Sequence, residues 1–230
     1  MVRYWPSTWS RDSRDEVVNR HESDHESEGR NSPATLAVWP IVCLALLGSA
    51  WGLCELIGGA TVWLTAVALL LLAVARALVN RPGSSTALAT IAVLFKSVNT
   101  APFFCHLAGI VLLGIAFDLT ASLLWRDDRR PLFRAALTGA ASAYLSCFLF
   151  GASMIWIFKF KHWAGGGLDR LGEYMLYSGS RGALTGLVIV PLGLWLGCLL
   201  ARQATGHSRA ILSAALTACL ALWAIGPFIG

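Results

Sequence analysis

Glu55, Lys96, His106 and Asp118 are ionisable residues set within otherwise apolar stretches, and they are the part of this chain equipped for chemistry. A carboxylate beside an imidazole forms an acid/base pair, and a carboxylate beside an ammonium forms an ion pair. Either arrangement also serves to hold a charged solute. Each such residue costs about 2.5–3.5 kcal/mol at the centre of a bilayer, so it is expected to face a partner, a cavity or a ligand.

The elements that carry these residues are membrane spans. Of 230 residues, 56% are hydrophobic and 13% charged, the latter about half the charged share of a soluble domain. The apolar residues run in blocks over 36–57, 61–79, 85–98, 103–125, 131–158, 181–201 and 210–228. Most approach the roughly 20 residues needed to cross a bilayer. The expected fold is therefore all-α: a polytopic transmembrane bundle of six to seven spans over 36–230. The block 85–98 is short and contains Lys96; counting it as a span makes the loop charges coherent. Arg76, Arg81, Arg126, Arg129, Arg130, Arg134, Arg202 and Arg209 then share the side of the N-terminus. By the positive-inside rule that side is the cytoplasm. Lys159, Lys161, Arg170 and Arg181 disobey the rule and fall outside.

Residues 1–35 mix both charge signs with Ser and His and contain no apolar run, which predicts a disordered cytoplasmic tail rather than a signal peptide. The net charge of +5 traces to loop arginines, not to a nucleic-acid surface. Six cysteines stand singly in the apolar blocks without metal-type spacing, so they read as packing residues. Cys54 and Cys105 fall at the same end, the one pair considered for a disulfide. No metal, no cofactor and no catalytic motif is expected. Cys105 with His106 alone is too few ligands for a metal site.

In the proposed topology Glu55, Lys96, Asn99 and His106 all approach the outer leaflet, where the loop after 158 adds Lys159, Lys161, His162, Trp163, Arg170, Glu173 and Arg181. The expected substrate-binding set is Glu55, Lys96, Asn99, His106, Lys159 and Arg181. Structural readings stand beside it: Glu55 pairing with Lys96, and lysines reaching lipid headgroups. Asp118 is expected to pair with a neighbouring helix or a loop arginine such as Arg126. Small residues four apart, among them Gly48 and Gly52, serve helix packing or the docking of another subunit.

Over 36–201 the order of features resembles the substrate-binding S component of energy-coupling-factor transporters. The resemblance rests on Gly48, Ser49, Ala50 and Gly52, on Asn80-Arg81-Pro82-Gly83-Ser84, on Gly114-Ile115-Ala116-Phe117-Asp118-Leu119, and on Arg181-Gly182-Ala183-Leu184-Thr185-Gly186. It implies a helical bundle in the bacterial inner membrane with a site for a small vitamin-like nutrient open to the exterior. It also implies Gly48 and Gly52 facing a coupling transmembrane subunit, with ATPase subunits beyond. The seventh block and the long charged tail depart from the family pattern. The alternatives are a membrane scaffold without transport activity and a membrane enzyme using Glu55 and His106 as an acid/base pair.

Overall fold

The computed structural model describes residues 33–58, 61–99, 103–125, 131–204 and 208–229. The expected disordered tail lies outside these residues up to 32, and helix α1 (Pro33–Ile57) begins slightly earlier than the apolar block. A proline opens a helix readily, because the first turn has no use for its missing N–H. The other elements are α2 (Thr61–Leu78), α3 (Ser84–Asn99), α4 (Phe104–Leu124), α5 (Pro131–Ala152), α6 (Lys161–Ala164), α7 (Gly167–Tyr174), α8 (Ser180–Ala204) and α9 (Ser208–Ile229). Every expected apolar block is helical, and the described residues contain no strand.

Five stretches are long and apolar enough to cross a membrane, as a multi-pass membrane protein requires: Val38–Ile57, Phe104–Leu124, Pro131–Ile157, Gly167–Arg202 and Ile211–Phe228. Helix α2 is apolar but shorter. Helix α3 has 16 residues, about 24 Å at 1.5 Å per residue, and polar residues at both ends. Its Leu88, Ala89, Ala92 and Phe95 are nevertheless fully buried.

The segment after 158, expected to be an exterior loop, is largely helical. A wide π turn at Ser153–Ile157 extends α5, and a second at Met175–Gly179 joins α7 to α8 without interruption. Such turns insert an extra residue into the helical ladder and tend to occur where a side chain must be re-aimed. Between them Lys159 and Gly167 adopt left-handed backbone conformations that reverse the chain. Asp169 occupies the first turn of α7, where its negative charge meets the positive end of the helix dipole. Leu171 is buried and packs against Gly151, fastening α7 over the end of α5.

The main helices close into a ring in the order α1, α3, α4, α5, α8 and α2, with α9 outside against α1 and α3. Glycines set the close approaches. A Cβ on Gly48 would lie 2.8 Å from Ile91, and one on Gly52 2.8 Å from Phe95. Both glycines are thus occupied by α3 of the same chain. The expectation that they present a docking surface to another subunit is corrected by this packing. Gly139 and Gly186 bring α5 and α8 into backbone contact, and Gly193 and Gly197 do the same for α8 on α2. Pro191 lies within α8, which stays helical through it. Helix α9 is latched by Trp223, whose indole N–H donates to Ser49 Oγ at 2.9 Å and whose ring meets Phe95 edge-on.

Asp118 on α4 is buried against the start of α3. Its carboxylate accepts the Arg76 guanidinium at 3.2 Å, and the Thr86 backbone N–H and hydroxyl at 2.7 Å each. It thereby caps α3 from a neighbouring helix, satisfying an amide that the helix start leaves without an intrahelical partner. Arg76 also donates to the Arg81 carbonyl and to Ser122 Oγ, tying α2, α3 and α4 together. The partner of Asp118 is thus Arg76 on α2. Arg126 lies outside the described residues.

Candidate functional site

At the opposite end from Asp118, Glu55 near the end of α1 gathers donors from three helices. Its Oε1 accepts the Trp51 indole N–H at 3.3 Å, one turn back on α1. Its Oε2 accepts Lys96 Nζ of α3 at 3.0 Å and faces His106 Nε2 of α4 at 3.5 Å. The Glu55 and Lys96 side chains are only 6% and 10% exposed, whereas His106 is 55% exposed. A carboxylate this buried is stable as an ion only with such neighbours. The spans around it end at the same level, which is what brings these residues together.

Glu55 and His106 border a cavity of about 610 Å³ enclosed by α1, α2, α4, α5 and α8, with the α7 end of the outer segment at its rim. Trp51, Phe150, Tyr174 and Tyr177 supply aromatic walls; Thr65, Ser146, Ser178 and Thr185 supply hydroxyls; Arg181 supplies a guanidinium. Phe150, Trp163 and Tyr174 lock the rim, with centroid separations of 5.7 Å for Phe150–Trp163 and 5.1 Å for Trp163–Tyr174. Gly109 on α4 leaves room beside the Phe150 ring. Beyond Tyr174 and Tyr177 lies a smaller hollow of about 280 Å³ bordered by Trp163, Arg170 and Glu173.

Of the six residues expected to bind substrate, Glu55, His106 and Arg181 line the cavity. The other three do not. Lys96 is held behind the wall by Glu55, whose Oε2 accepts its ammonium. Asn99 turns the other way: its amide donates to the Phe95 carbonyl at 2.6 Å and its side chain packs on Gly226 of α9. Lys159 is exposed at the chain reversal after α5. Tyr174, Tyr177, Trp51, Ser146 and Ser178 were not anticipated. The π turn at Met175–Gly179 places Tyr177 and Ser178 on the cavity side, but nothing in their spacing announces it.

All six cysteines, Cys54 and Cys105 included, are free thiols. Among the described residues no cluster of three or more His, Cys, Asp or Glu side chains is arranged to hold a metal ion. Chemically the site offers a half-open, largely apolar chamber with a paired carboxylate at one wall and a guanidinium at another. No family model matches this chain, and no curated protein or solved structure does either.

Proposed function

We propose that this protein is an integral membrane subunit that binds a small nutrient-like solute for uptake, in the manner of an S component. The cavity beside Glu55 carries this reading. Its volume of about 610 Å³ falls within the about 300–1,000 Å³ of small-molecule sites. Aromatic walls with a few convergent polar groups are the usual composition of such sites. The closed ring of six helices with α9 outside it also suits a six-span core carrying one added helix.

The orientation follows from charge. Arg76, Arg134 and Arg202 lie toward the end away from the cavity, so the positive-inside rule puts that end in the cytoplasm and the cavity toward the exterior. All seven long helices then span, α3 being protected by its neighbours. The chain would serve in the bacterial cell membrane, with its N-terminus inside. ATP-driven uptake requires partner subunits, a coupling membrane subunit and ATPases. With Gly48 and Gly52 occupied internally, the coupling subunit must use another face.

Extraction of the full chain from native membranes in mild detergent tests this. The expected result is recovery with a coupling subunit and ATPases, together with a small molecule released on heating. Recovery with an unrelated membrane complex and no solute favours the scaffold reading instead. His106→Ala is expected to lower retained solute by roughly tenfold, equivalent to about 1.4 kcal/mol, the scale of one hydrogen bond to a charged group.

One contact favours a second reading. Glu55 and His106 approach to 3.5 Å, close to the reach of an acid/base pair. If the released molecule is a converted product and Glu55→Gln stops the conversion, the protein is an enzyme.

A further inference from the structure

The charges around the cavity do not cancel. Among the described residues Glu55 is the only acidic one on its wall, and that charge is matched by Lys96 directly behind it. Arg181 remains. No described carboxylate lies within ion-pair distance of it; instead its guanidinium carbon sits 4.0 Å from the centre of the Tyr177 ring. Stacking of this kind uses the flat face of a guanidinium and leaves the N–H groups along its edge directed outward. A planar fork of donors held in that way matches a carboxylate or phosphate with paired hydrogen bonds.

The remaining surface sets the shape of the guest. Trp51 on α1 is 1% exposed and lies behind the cavity surface, the Tyr177 ring is covered on one face by Arg181, and Phe150 and Tyr174 border the chamber from α5 and α7. Phe150 and Tyr174 favour a flat conjugated ring, which they can meet by stacked or edge-on contacts. The Ser146 and Thr185 hydroxyls donate to the Ala143 and Arg181 carbonyls, so their oxygens are left to accept from a guest N–H or O–H. The acidic Glu173 and basic Arg170, of opposite sign, border the adjoining smaller hollow, which shares Tyr174, Tyr177 and Ser178 with the chamber.

From this we infer that the site takes a planar aromatic molecule bearing one negative charge, with the anion on Arg181 and the ring beside Phe150 and Tyr174. The inference rests on the reading of the cavity as a solute site and adds to it the chemical class of the solute.

Titration calorimetry of the full-length protein in lipid nanodiscs tests it with four probes. These are 2-naphthoate, the neutral 2-naphthamide, the cationic 2-naphthylmethylamine and the non-aromatic cyclohexanecarboxylate. The expected result is binding of 2-naphthoate at least about tenfold tighter than each of the others, a difference of about 1.4 kcal/mol. Arg181→Gln should remove the preference over the amide by weakening naphthoate by about tenfold. Arg181 is exposed, so this change leaves the fold intact. Tyr177→Leu should weaken naphthoate more than cyclohexanecarboxylate.

Equal or tighter binding of the amide, the amine or the alicyclic acid overturns the inference. So does a naphthoate preference that survives Arg181→Gln, or failure of all four probes to bind. A chain that still co-purifies with a solute and ATPases after any of these results keeps its transport role and loses only the proposed solute class.

Discussion

Asp118→Ala is expected to lower stability by about 3–5 kcal/mol, the cost of leaving one member of a buried ion pair without the other. The Asp118 and Arg76 side chains are 9% and 4% exposed, and no bulk water is at hand to take over the stranded guanidinium. The same substitution removes the acceptor from the Thr86 amide and hydroxyl. Thermal unfolding of purified protein, followed by tryptophan fluorescence, measures the loss. The double variant Arg76→Met/Asp118→Leu separates the two contributions. Removing both charges should restore most of the stability, leaving a deficit of about 1–3 kcal/mol for the uncapped Thr86 amide. A double variant as unstable as Asp118→Ala would mean that the ion pair contributes little and capping contributes nearly everything.

Gly186→Val is expected to be among the most damaging single changes at the helix-packing residues. A Cβ at this position would lie 2.6 Å from the Gly139 carbonyl carbon and oxygen, so backbone, not a side chain, must move. Overpacking by side-chain atoms already costs about 1–3 kcal/mol, and a backbone wedge should exceed that range. The consequence reaches the cavity, because α5 contributes Ala143, Ser146 and Cys147 to its wall while α8 contributes Arg181, Gly182 and Thr185. Stability and solute retention should therefore fall together. Gly172→Ala is the control. Nothing lies within 4 Å of its Cβ position on α7, so replacing glycine inside a helix should gain about 0.5–1 kcal/mol. If Gly186→Val unfolds no earlier than the natural chain, the two helices do not pack as closely as their glycines allow.

Part of this architecture was legible because the bilayer penalises exceptions. Glu55, Lys96 and His106 stand out in apolar stretches, and counting helix lengths puts all three at one level, where they meet. Asp118 stood out for the same reason, but its partner did not. Arg126 is near in sequence, whereas Arg76 is near only because α2 and α4 both pack at the start of α3. Level along the membrane normal can be read from a sequence; direction around the helix is much harder in a chain whose apolar residues encircle every span. Asn99 illustrates this, sharing the level of Lys96 while facing α9. Gly48 and Gly52 show the same ambiguity, since a small-residue stripe looks alike whether it faces a helix of its own chain or another subunit. The aromatic wall was hidden for a different reason: Trp and Tyr are common at membrane boundaries, so Tyr174 and Tyr177 carry no mark of an inward role.

The placing of α2 between α1 and α8 has a bearing on biosynthesis. The ribosome delivers α2 second among the long helices, yet the neighbour that covers most of it emerges much later. Until α8 arrives, the nascent bundle has an open seam along α2, and the chamber lacks the wall that carries Arg181 and Thr185. If the chamber is a solute site as proposed, a half-made chain is expected to retain none, and occupancy would mark a molecule whose last core helix is in place.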